Sequence, residues 1–303
     1  MSRASNLVSE AGPGEGERPD LAEALERGEI VFFPVCPVEL PAEHDLERLR
    51  EELPRQLRAK NVSYHPESGR LRGVKGRGGL RDAVLGTLTA HGARVRAFLR
   101  ETMPSLTRGG TVGTTSFRPI QERGRGLSSH ASNELIHFDA GAYGATDGDR
   151  ILRFFVNVNP HEDRVWSTKG TFPEVFARHG AEAGLAGGGS LDRGAVDRLR
   201  GHLLRGIAKL GLAEAVLADS SPYDRLMRRF HNYMKDTPSF QERDESYREI
   251  RFPPFSAWMV LTDMVSHASV SGQHALVDTY ILRLAACRRP ELAPINILRG
   301  PPG

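Results

Sequence analysis

Apolar positions along the chain follow two rhythms, and the change from one to the other lays out its architecture. Short dense runs of β-branched and aromatic residues read as strands: EIVFFP (29–34), DRILRFFVNVNP (149–160), AWMVLT (257–262) and ALVDTYILRL (275–284). TVGTTSFRP (111–119) joins them, closed by a proline that cannot donate to a ladder, and NELIHFDAG (133–141) reads as a further strand. Elsewhere apolar residues recur at steps of three and four, the helical spacing. LAEALERG is a short helix closed by Gly28, and longer amphipathic segments cover 43–59 and 80–102. Between those two, KNVSYHPESGRLRGVKGRG (60–78) reads as a loop. From Thr171 to about Asp236 the pattern is again helical, with a flexible break at AGLAGGGS (183–190), which reads as an insertion on the β core. Residues 1–18 are small, polar and Gly-rich, the composition of a disordered leader, so structure is expected from Pro19 as a single domain spanning 19–303. The class is α+β.

Composition narrows the setting. Of 303 residues, 39% are hydrophobic and 26% charged, which suits a soluble globular domain with an ample core. No apolar run is long enough to cross a bilayer, and the N-terminus lacks the apolar region of a secretory signal. Cys36 and Cys287 cannot make a disulfide framework, so the cytoplasm is the expected compartment. A net charge of +3 excludes a strong global field, and no nucleic-acid module is evident. Local basic clusters, Arg70, Arg72, Lys75 and Arg77 or Arg225, Arg228 and Arg229, fit either a solvated face or peripheral contact with an anionic inner-membrane surface.

Candidate chemistry centres on His137 and Asp139. Alternate residues of a strand share a face, so an imidazole and a carboxylate two positions apart can meet one cation. With a second imidazole they would form a set that leaves open positions, the arrangement suited to non-haem Fe(II) rather than structural zinc. His161 and Asp163 have the same spacing but sit in the turn-like PHEDR, without a strand to aim them. The distal ligand is sought in TDMVSHASVSGQHAL, where His267, among apolar and small residues, is preferred to His274, which follows SGQ in a turn. So wide a separation calls for a fold that makes distant strands neighbours, as the double-stranded β-helix of cupin-like jelly rolls does. His231, on a helix, reads as a packed or solvent-facing side chain. Arg153 interrupts a strongly apolar strand, which is costly unless its guanidinium finds an anion: the carboxylate of a ligand, or an acid of the chain itself. Arg118, at the end of its strand, is a second candidate. Lys60, Tyr64 and His65 could face a substrate or only solvent.

Taken in order, KNVSY (60–64), TSFRP (115–119), the His-x-Asp pair, DRILRFFVNVNP, RVW (164–166), FHNYMKD (230–236) and WMVLTDMVSHASVSGQHAL (258–276) resemble the Kdo hydroxylase family. The resemblance implies a jelly-roll dioxygenase dependent on Fe(II), 2-oxoglutarate and O2 that hydroxylates carbon 3 of a Kdo sugar in lipopolysaccharide. It implies iron on His137, Asp139 and His267, and 2-oxoglutarate carboxylates near Arg118 and Arg153. Retention of Asp139, where halogenating relatives have a small residue, points to hydroxylation. The segments flanking the pair, SSHASNE and AGAYGA, depart from the family pattern where substrate should bind. Two further readings therefore stand beside a Kdo-type glycolipid substrate: a hydroxylase tailoring another sugar or natural product, and a jelly-roll protein that binds a metabolite without turning it over.

Overall fold

The computed structural model describes residues 7–11, 20–76, 78–141, 145–185, 191, 194, 197 and 220–300. Its frame is a sheet of eight strands: β1 (Val8–Glu10), β2 (Ile30–Phe33), β3 (Val62–His65), β4 (Arg70–Arg72), β5 (Thr111–Arg118), β6 (Arg150–Asn157), β9 (Ala257–Leu261) and β11 (Ala275–Leu282). Their order is β1-β2-β9-β6-β11-β5-β3-β4, with the longest strands at the centre. All pairs are antiparallel except β1 with β2. A second sheet places β7 (Arg164–Thr168) between β10 (Ala268–Ser271) and β8 (Arg248–Phe252). This is the α+β jelly-roll core that the sequence led us to expect.

Strand alternation sorts the side chains into two cores. On one face, Leu152, Phe154 and Val156 of β6, Phe117 of β5 and Leu276 of β11 pack against α3 (Gly79–Thr102) through Val84, Leu88, Val95 and Leu99. On the other, Phe155, Trp258, Val260 and Val277 meet Trp166 and Phe252 of the small sheet. There the rings of Phe252 and Trp258 stack with centroids 3.8 Å apart, and Trp166 stands edge-on to Trp258 at 87°. Each such fully buried aromatic contributes about 1.5–3 kcal/mol, so the seam between the sheets is a rigid wall for whatever lies beside it.

Several boundaries differ from the expectation. Val8–Glu10 falls within the stretch read as a disordered leader, yet it adds a strand to the sheet edge, in register with Ile30–Phe32. The 60–78 segment is not a plain loop: β3 and β4 form a hairpin, and β3 extends the sheet beyond β5. The 43–59 helix is shorter, with α2 (Glu43–Glu47) followed by a π turn and a 3-10 turn that holds Pro54. Between β7 and β8 the described residues are largely helical: α4 (Phe172–His179), α5 (Pro222–Asp236) and α6 (Pro238–Gln241). The middle of the expected insertion, including nearly all of 192–218, lies outside the described residues. No helix among them is long and apolar enough to cross a membrane.

Candidate metal centre

His137 and His267 face each other across an isolated antiparallel bridge, not within regular strands. Each donates its backbone N–H to the other's carbonyl, at 3.0 and 2.9 Å, and Asp139 donates its own to Thr262 at 2.9 Å. The expected strand at 133–141 is thus a chain segment fixed at alternate residues to the 262–269 stretch. That is enough to keep His137 and Asp139 on one side. It also explains how ligands far apart in sequence become neighbours: the bridge itself pairs them.

The ligand atoms of His137, Asp139 and His267 all lie within 4.8 Å of one another. Each imidazole is oriented from behind, His137 Nδ1 donating to the Leu135 carbonyl at 2.7 Å and His267 Nδ1 to the Val265 carbonyl at 3.0 Å. A carbonyl can only accept, so both rings carry their proton on Nδ1 and present the Nε2 lone pair. Burial pushes the His267 imidazole down to about 4, against the pull of Asp139, and lowers His137 too, with His267 adding to the effect. Both are therefore neutral, the form that ligates metal. Burial alone would raise the Asp139 carboxyl, but the Arg153 guanidinium against it outweighs that and holds the group well below the usual carboxylate range. Two neutral imidazoles, one carboxylate and no thiolate fit an iron(II) ion that keeps open positions.

Around this group is a cavity of about 280 Å³ whose lining includes Lys60, Ser63, Arg118, Arg153, Arg164 and Trp166. Arg153, from the centre of β6, places Nε 2.7 Å from Asp139 Oδ2. Arg118, at the end of β5, lies 3.6 Å from Glu122, a carboxylate that also meets Arg164 at 3.0 Å and Arg125 at 3.1 Å. Burial would raise Glu122, but these three guanidinium groups together lower it. The Trp166 ring stacks on His267 at 5.1 Å and 22°.

Of the residues singled out in the sequence, the structure brings His137, Asp139, His267, Arg118, Arg153 and Lys60 to one cavity. Tyr64 and His65 are not among its lining residues; His65 instead meets Ser63 Oγ at 3.1 Å. His161 and Asp163 line a separate surface cavity, and His274 stacks on Phe117 at 6.1 Å, away from the ligand group. His231 belongs closer than its helical setting suggested. Its Nδ1 donates to the Phe138 carbonyl at 2.7 Å and its ring lies 4.8 Å from that of His137, edge to face. Trp166 and Arg164, inside the RVW motif, were not assigned a role in the sequence. Their signal was an arginine two residues before an aromatic in a fully buried strand, legible only once Trp166 is seen to stack on His267.

Comparison with known proteins finds similarity along nearly the whole chain. The family model for 3-deoxy-D-manno-oct-2-ulosonic acid (Kdo) hydroxylase matches residues 10–300. Among solved structures, the apo form of the Kdo hydroxylase KdoO, a non-haem Fe(II) α-ketoglutarate-dependent dioxygenase, is 28% identical with a TM-score of 0.78, covering 96% of this chain and 94% of that one. KdoO in complex with α-ketoglutarate and Fe(III) is 27% identical with a TM-score of 0.77, covering 96% and 94%. The cobalt(II) complex is 28% identical with a TM-score of 0.79, covering 97% and 95%. Comparison with curated protein sequences gives no match.

Proposed function

The chain belongs to the Kdo hydroxylase family, and from that premise we propose that His137, Asp139 and His267 hold the iron while Arg118 and Arg153 receive the carboxylates of 2-oxoglutarate. The enzyme is an Fe(II)- and 2-oxoglutarate-dependent dioxygenase acting on a Kdo-type sugar. The observation that carries the residue assignment is the pair of imidazoles with Nδ1 tied to their own chain and Nε2 turned toward one carboxylate.

Bound iron, 2-oxoglutarate and O2 supply the oxidation, with succinate and carbon dioxide as the coproducts. The protein supplies placement. The carbonyls of Leu135 and Val265 fix the imidazole tautomers, and the aromatic seam holds His267 against Trp166. Arg153, already against Asp139, can turn part of its planar fork toward a carboxylate without leaving the acid. Cavity walls of sheet and packed rings restrict solvent around the reacting atoms. No side-chain general base is required.

Anaerobic addition of Fe(II) and then 2-oxoglutarate should produce the visible charge-transfer band of a chelated complex. Arg153→Lys should shift its saturation to about tenfold higher 2-oxoglutarate, because an ammonium cannot reproduce the fork. A folded protein that gives no band would sink the assignment; unchanged saturation in the variant would remove Arg153 from the cosubstrate site. The proposal extends to a cytoplasmic enzyme meeting its glycolipid at the inner-membrane surface, supported by exposed Arg70 on the hairpin at the sheet edge and exposed Lys75 just after it. Salt-sensitive sedimentation with anionic vesicles tests that extension, and sedimentation no greater than with neutral vesicles refutes it.

A further inference from the structure

The four cations lining the ligand cavity are not in equivalent states. Arg153 has Asp139 at 2.7 Å, while Arg164 and Arg118 share Glu122 at 3.0 and 3.6 Å. Lys60 has no carboxylate at salt-bridge distance among the described residues; its ammonium donates to the Ala131 carbonyl at 2.9 Å. It is exposed while still lining the cavity, which puts it at the mouth. An ammonium has three donors, so serving one carbonyl leaves it able to bind an anion.

The charge around it asks for one. Desolvation at the rim lowers the Lys60 pKa, and the positive charges of Arg118, Arg125 and Arg153 add to that effect against Glu122. Five cations, Lys60, Arg118, Arg125, Arg153 and Arg164, outnumber the carboxylates of Glu122 and Asp139 that meet them among the described residues. A divalent metal raises the surplus, and the two carboxylates of 2-oxoglutarate only return it to its starting value. Positive charge therefore remains at the mouth after cosubstrate has bound.

The acceptor of Lys60 is also held firmly. Ala131 closes a 3-10 turn (Ser129–Ala131), and His130 Nε2 meets Asp236 of α5 at 2.8 Å. Lys235 Nζ donates to the Ser132 carbonyl at 2.8 Å from the other side. This turn lies in SSHASNE, one of the two segments that depart from the family pattern, so the departure falls where Lys60 is positioned.

We propose that Lys60 binds the carboxylate of the acidic sugar substrate at the cavity mouth and thereby fixes which end of that sugar enters. The assignment rests on the iron and 2-oxoglutarate reading above. Lys60→Met keeps most of the stem and removes the charge; Lys60→Arg restores a cation. Two titrations of the anaerobic Fe(II) complex separate the possible sources of the carboxylate: 2-oxoglutarate by its visible band, and free Kdo added to the 2-oxoglutarate-loaded complex by calorimetry. Lys60→Met should weaken Kdo binding by about tenfold or more, Lys60→Arg should recover most of it, and 2-oxoglutarate saturation should not move. Added salt should weaken Kdo binding to the wild type more than to Lys60→Met, as for an exposed charge pair. Equal Kdo affinity in wild type and Lys60→Met overturns the proposal, as does a loss confined to 2-oxoglutarate. Kdo bound by the wild type but never hydroxylated would leave Lys60 in place and sink the activity; no Kdo binding by the wild type sinks both.

Discussion

Two groupings of histidine and aspartate sit on opposite faces of one sheet, and they have different fates. His137, Asp139 and His267 border the cavity, near Arg153 of β6. On the other side, Asp278 of β11 points beneath α3, where its Oδ1 accepts from Thr115 Oγ1 at 2.5 Å and its Oδ2 lies 3.2 Å from His91 Nε2. Adjacent registers produce the split: Thr279 pairs with Arg153, whereas Asp278 pairs with Phe154 and Thr115. His91 and Asp278 are sealed at 0% and 1% exposure. Gly92 permits the seal, since a Cβ there would come within 2.2 Å of Thr115 Oγ1. The same donor types thus make a site only where their lone pairs reach open space. Beneath the helix they are shut in, Asp278 bonded to Thr115 and lying against His91, and they join α3 to the sheet.

The largest expected effect tests the open grouping. Replacing His267 with Ala should remove iron-dependent turnover by about two orders of magnitude or more, because one of the three proposed protein ligands is gone. His274→Ala, at a residue stacked on Phe117 outside the ligand group, should keep most of it. Equal losses would mean that lying outside the ligand group does not set His274 apart from His267, and the contrast between open and occupied histidines would collapse.

How much of this could be read from the sequence depends on which residues a local pattern governs. The central strands were legible because dense apolar runs such as RILRFFVN survive in any environment that buries both faces. The meeting of His137 and Asp139 was legible because a two-residue spacing carries its own geometry, even though the chain at His137 makes an isolated bridge and no regular strand. Arg153 was legible as a conflict, a charge in an apolar strand, but the acid it meets was not: both an ion pair and a cosubstrate role were open, and the structure has Asp139 beside it. The edge strand at Val8–Glu10 was missed because three residues among Gly and Ser have no periodicity to detect, and partners on β2 make the strand. The β3–β4 hairpin was missed for a related reason: Gly69 and Gly73 read as loop residues, and both have positive φ. His231 looked like an ordinary helical histidine because nothing in RRFHNYMKD says that the helix lies across His137. His91 and Asp278 drew no attention at all, since their meeting depends on how α3 crosses β11.

That sealed pair supplies the smaller effect, one read in stability rather than turnover. Asp278→Ala removes the acceptor of Thr115 and the partner of His91 at a position fully shut from water. Neither polar group can find solvent in exchange. Leaving the buried Thr115 donor unsatisfied costs about 1–3 kcal/mol, and the cavity left by the lost carboxylate beside His91 adds to it. Denaturant unfolding of the apo-protein should therefore show a loss of about 3 kcal/mol, while the variant that remains folded should give the visible iron and 2-oxoglutarate band at wild-type concentrations. The two readouts must separate if the sheet divides the groupings as described. A variant with native stability and weakened iron binding would show instead that the face beneath α3 reaches the ligands through β11, and the division between an open, reactive face and a sealed, structural one would have to be abandoned.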